Sequence, residues 1–89
     1  MKNLAYRIPV VESEKGYGRK IDDHMVCLSK EDCLEFKKEF NSLNTEDITP
    51  DWYMVVEGEA EEIYISDTQY EYLESEEDCR VWYNFLMKI

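Results

Sequence analysis

The sequence predicts an α+β fold: a small antiparallel sheet with two main helices packed on one face, in the approximate order ββαββα. Three observations carry that reading. Runs rich in β-branched and aromatic residues stand at 4–11, 51–57 and 61–66, which is the composition of strands. Between them Cys33, Phe36, Phe40 and Leu43 recur at intervals of three and four, which sets them on one face of a helix. Finally, 89 residues that are 44% hydrophobic, with seven Tyr but only three Gly and two Pro, suit one compact domain over 1–89. They are too apolar for a disordered acidic tail.

In the first strand Leu4, Tyr6, Ile8 and Val10 alternate with Ala5, Arg7, Pro9 and Val11. Pro9 has no amide proton, so the strand is expected at a sheet edge, or with a bulge there. Residues 12–23, with Gly16 and Gly18 among charges, read as a loop or wide hairpin connection, and His24 to Leu28 as a second short strand. Ser29 then caps the amide of Asp32 and opens a helix over 30–43, which ends in Asn41-Ser42-Leu43-Asn44-Thr45. Thr49-Pro50-Asp51 marks a turn.

The strand at 51–57 stops at Gly58, and 61–66 is expected to return as its hairpin partner, because Gly58-Glu59-Ala60 is short enough for a hairpin loop. Residues 67–74 carry both periods and are read as one or two helical turns capped by Ser66. Ser75-Glu76-Glu77-Asp78 is expected to open the second main helix, with Cys79, Trp82, Phe85 or Leu86, and Ile89 as its buried stripe. Ser29–Cys33 and Ser75–Cys79 match at four of five positions, 46 residues apart. That offset fits either a ββα unit used twice or the convergence of capping chemistry on Ser followed by acids.

Twenty-one acids against ten basic residues leave a net charge of -11, and the charge is local. Residues 57–78 hold ten acids and no Lys or Arg, so the rest of the chain sums to -1. Such a balance excludes direct nucleic-acid binding and attraction to acidic membrane surfaces, and points to a basic protein surface as partner. The acidic stretch is either a solvated face or a binding face. As a binding face it would use Glu59, Glu61, Glu62, Asp67, Glu71, Glu74, Glu76 and Glu77, with Tyr64, Tyr70 and Tyr72 as rigid contact area. Carboxylates spread over strands and helices can imitate the phosphate charge of a duplex, one per about 1.7 Å of axis. In size, charge and aromatic content the chain looks like the small, strongly acidic phage inhibitors of restriction and other nucleic-acid-directed defence enzymes. That likeness implies an inhibitor occupying a nucleic-acid groove by DNA mimicry. The alternative is a regulatory or assembly module that binds a basic surface unrelated to nucleic acid.

No stretch amounts to a catalytic signature, so the chain is read as non-enzymatic and without a cofactor. Asp22, Asp23 and His24 are adjacent and lack a second histidine, which disfavours a metal site. A calcium loop with glycine at its sixth position is absent from the acidic stretch. Three cysteines, Cys27, Cys33 and Cys79, fit neither a disulfide framework nor a zinc knuckle and suggest a reducing cytoplasm. Cys33 and Cys79 are expected near helix starts as small buried hydrophobes. The opening residues turn polar by Arg7, so no signal peptide is expected, and no run of 18 apolar residues occurs in the sequence. The glycine-containing basic loop 14–20 could meet an anion or a neighbour's acidic face, which makes a homodimer a further expectation.

Overall fold

The computed structural model describes residues 2–43 and 52–89. β1 (Lys2–Glu14) turns through residues 15–17 into β2 (Gly18–Cys27), and the two pair antiparallel from Tyr6↔Cys27 to Glu14↔Gly18. Gly16 and Gly18 hold φ of 87° and 85° at the tip, a left-handed conformation that costs glycine little. Of the loop or wide hairpin connection expected over 12–23, the hairpin is what forms, and it is strand except at residues 15–17. Its polar residues pair across the hairpin, Glu12 opposite Lys20 and Ser13 opposite Arg19, which satisfies them without a loop. One register shift intervenes: Val10 faces Asp23 while Val11 faces Ile21, so Asp22 is an extra residue on β2.

α1 (Lys30–Leu43) begins as its cap predicts, with Ser29 Oγ accepting from the Asp32 amide at 3.1 Å. Cys33 and Phe36 are buried and Phe40 packs against them, but Leu43, counted in the same stripe, is 72% exposed at the helix end. The turns expected around Asn44-Thr45 and Thr49-Pro50-Asp51 lie outside the described residues.

β3 (Trp52–Val56) and β4 (Glu61–Ser66) do not form the expected hairpin. Both run antiparallel to β1 on its same side, β3 along Val10–Glu14 and β4 along Lys2–Arg7. They are two halves of one strand line, interrupted by residues 57–60. Pro9 explains the interruption. Its carbonyl accepts from the Glu57 amide at 3.2 Å, so its backbone groups face this side. There the missing N–H leaves the ladder one donor short. From Val10 to Arg7 β1 advances three residues, whereas its partner advances five, from Val56 to Glu61. β1 is thus a central strand with the interruption opposite its proline, not an edge strand. Gly58 takes φ 81° within the detour.

The helices cover both faces of the sheet, not one. Ile8, Val10, Met25, Cys27 and Val56 pack with Cys33 and Phe36 of α1. Ala5, Val26 and Ile65 pack with Leu73 and Leu86, which lie beyond β4 in the chain. Met25 and Cys27 fall in one cluster and Val26 between them in the other, the alternation of a strand buried on both sides.

The chain after β4 also differs from expectation. α2 (Asp67–Ser75) starts on a reciprocal capping box, in which Ser66 Oγ accepts from the Gln69 amide and Gln69 Oε1 accepts from the Ser66 amide at 2.9 Å. Ser75 ends this helix instead of opening the next, its hydroxyl donating to the Tyr72 carbonyl at 2.7 Å. Cys79 then sits at φ 53°, outside any helix. β5 (Arg80–Trp82) adds beside Met25–Cys27, and α3 (Tyr83–Leu86) follows. Of the expected stripe Leu86 is buried, while Trp82, Phe85 and Ile89 are 38%, 51% and 42% exposed. The likeness of Ser75–Cys79 to Ser29–Cys33 therefore marks no second helix start. Replacing Ser66 with alanine is expected to cost about 1 kcal/mol in urea unfolding, through loss of the cap.

Candidate protein-binding surface

The ten acids of 57–78 divide into those held by the fold and those left to solvent. Arg19 pairs with Glu57 and Arg7 with Glu61. Asp67 accepts from Asn3 Nδ2 at 2.8 Å. The Tyr72 hydroxyl donates to Glu76, which together with burial and the Glu76 charge raises the phenol pKa. Glu59, Glu62, Glu71, Glu74, Glu77 and Asp78 are exposed.

Strand alternation separates the exposed group further. Glu61 and Ile63 lie on the α2 side of β4, so Glu62 and Tyr64 lie on the α1 side. Glu71 and Glu74 ride the outer surface of α2, whose Tyr70, Tyr72 and Leu73 turn inward to the second core. Carboxylates are thus presented on both faces. Among the tyrosines expected as contact area, Tyr64 is 63% exposed, whereas Tyr70 and Tyr72 are partly buried as packing residues.

A polar group lies where β1, β2 and α3 meet. The Arg7 guanidinium stands 4.6 Å from the Tyr83 ring centroid, and His24 meets the same ring edge-on at 5.7 Å. Asp23 Oδ1 accepts from the backbone amides of His24 at 2.7 Å and Asn84 at 3.1 Å. The Asp23 carboxylate, next to His24 in the chain, is engaged as a backbone acceptor. Sequence reasoning missed this group because Arg7, His24, Glu61 and Tyr83 come from four separate stretches.

Burial, then the Arg7 charge, lowers the His24 pKa against the opposing pull of Glu61 and Asp23. The unfolded chain therefore takes up the proton first as pH falls, and its preference lowers stability. The contribution is complete above the ordinary histidine value of about 6.5 and is lost as pH falls through the lower folded value. Urea midpoints measured down from neutrality should fall more steeply for the native protein than for His24→Asn.

Cys27 and Cys33 are both fully buried in the α1-side core. A hydrogen bond with Cys33, and then burial, pushes the Cys27 thiol up, so it stays protonated. Of the two cysteines expected as small buried hydrophobes Cys33 is one, whereas Cys79 is only partly buried, since no helix starts there to carry it inward. Among the described residues no group of three His, Cys, Asp or Glu side chains is placed to hold a metal ion. A shallow depression is lined by Phe40, Met54 and Trp82 with Asp22 and Asp23. No described helix is long and apolar enough to cross a membrane. No protein-family model, curated protein or solved structure matches this chain.

Proposed function

We propose that this protein binds a basic protein partner through the carboxylates of 57–78 and inhibits a nucleic-acid-binding protein by standing in for nucleic acid in its groove. The observation that carries the reading is the disposition of the exposed acids over both faces of an elongated body of 44 × 22 × 20 Å. A duplex likewise carries charge on both sides of its axis, about 26 phosphates over that length at one per about 1.7 Å. A net charge of -11 over 44 Å is sparser. It is concentrated where Glu59, Glu62, Glu71, Glu74, Glu77 and Asp78 stand exposed. Like charges gathered this way repel within the folded chain, and a cationic partner removes that cost.

The test is affinity capture from a lysate of the native cells after nuclease digestion. The bait is the native protein in one arm and a variant with Glu62, Glu71 and Glu74 changed to Gln in the other. A nucleic-acid-binding protein retained by the first and lost from the second supports the reading. Equal retention by both removes the acidic surface from the account.

A further inference from the structure

Among the described residues β3 and β4 pair with β1 alone, and their far side is a sheet edge there. In an antiparallel ladder, successive residues turn their N–H and C=O alternately toward and away from the neighbouring strand. The bond from the Glu57 amide to the Pro9 carbonyl sets that alternation. Arg7, Ala5 and Asn3 share the phase of Pro9, so their partners Glu61, Ile63 and Ile65 face inward. On β4 Glu62, Tyr64 and Ser66 face out, and on β3 Val56, Met54 and Trp52 do.

Two of these outward positions, Val56 and Ser66, are closed within the molecule. The Asn41 side chain acts as a surrogate strand for Val56, its Oδ1 accepting from the amide at 2.8 Å and its Nδ2 donating to the carbonyl at 3.0 Å. Gln69 accepts from the Ser66 amide at 2.9 Å. Lys37 donates to the Gly58 carbonyl at 3.1 Å, closing the detour. Such devices are how folded proteins blunt an edge. They stop short of Glu62 and Tyr64, whose outward backbone groups no described side chain covers.

Side chains beside this gap suit a particular occupant. Glu62 and Tyr64 project to the same side two residues apart, and Tyr64 pairs with Leu4, itself 40% exposed. A strand laid along the edge would set one side chain opposite a carboxylate and another, two residues on, opposite an aromatic ring.

We propose that the open edge at Glu62–Tyr64 receives an extended basic segment of the partner protein as an added strand, with Lys or Arg opposite Glu62 and an apolar side chain opposite Tyr64. The inference rests on the reading that the partner is basic and specifies how it is held: backbone bonds supply affinity, and the alternating side chains supply selectivity. A second copy of the chain is disfavoured because it brings a net charge of -11 against -11.

The probe is an acetylated, amidated heptapeptide, Lys-Thr-Lys-Thr-Val-Thr-Lys, added to the full-length protein at low salt, with amide exchange followed by NMR. Binding should slow exchange at the Glu62 and Tyr64 amides. Two further peptides carry backbone N-methyl groups at every second residue, one in each phase. A strand docked by its backbone tolerates one phase and loses about tenfold or more in affinity with the other. Tyr64→Pro removes the same outward N–H without touching the ladder to β1, and a folded variant should lose a similar factor. Equal binding of both phases, or unchanged exchange at the two amides, overturns the edge proposal and leaves the acidic-surface reading standing. Absence of binding by all three peptides also overturns the edge proposal, while the acidic-surface reading is decided by the capture experiment. Concentration-dependent protection of these amides without peptide assigns the edge to a second copy and also overturns the proposal.

Discussion

Replacing Leu73 with alanine is expected to destabilise the protein by about 3 kcal/mol, a large part of the 5–15 kcal/mol that holds a typical fold together. Leu73 is fully buried at the centre of the α2-side core, among Ala5, Val26, Ile65, Val81 and Leu86. Those neighbours come from four strands and α3, so a cavity there cannot be closed by a small shift of one element. Phe85 provides the contrast. It is 51% exposed and touches Tyr72 at a ring separation of 5.7 Å, so Phe85→Ala should cost only about 1 kcal/mol. A terminal helix over 75–89 with Phe85 in its buried stripe demands the reverse ranking. Urea unfolding of the two variants decides between these arrangements.

The second large effect is on binding. Changing Glu62, Glu71 and Glu74 together to Gln should leave stability within about 0.5 kcal/mol, since all three are exposed. Three exposed charges contribute about 0.2–1 kcal/mol each to an ion-paired interface, so the affinity for the basic partner should fall about tenfold at low salt. The salt dependence of binding should flatten with it. Changing Glu61 is a different experiment, because its carboxylate holds Arg7, which in turn covers Tyr83. Calorimetric titration of partner against the triple variant at two salt concentrations measures both effects.

Much of this was legible before the fold was in view. Ser29 and the stripe of Cys33, Phe36 and Phe40 set the start and the buried face of α1 by local rules alone. Ser66 with Gln69 is a complete capping box and outranks Ser75 with Asp78, where the reciprocal partner is weaker. The two-faced sheet also has a local signature. Met25-Val26-Cys27 and Val10-Val11 are unbroken apolar runs, as in strands buried on both sides.

What sequence could not supply is the arrangement of β3 and β4. Gly58-Glu59-Ala60 has the length of a hairpin loop, and only the 13-residue reach of β1 lets both segments lie along the same neighbour. The acid density of 57–78 was equally plain, but its partial neutralisation was not. Arg7 stands 54 residues from Glu61 in the chain, and Arg19 reaches Glu57 from another distant stretch. Strand parity then parts Glu61 from Glu62, a distinction invisible in a count of charges.

The most direct test of nucleic-acid mimicry is displacement. The partner, bound to this protein at low salt, is titrated with duplex DNA while the complex is followed by a fluorescent label remote from 57–78. Mimicry predicts that the partner is released in step with its occupancy by DNA, because both ligands need the same groove. A ternary complex persisting at saturating DNA contradicts it and places the carboxylates on a different surface of the partner.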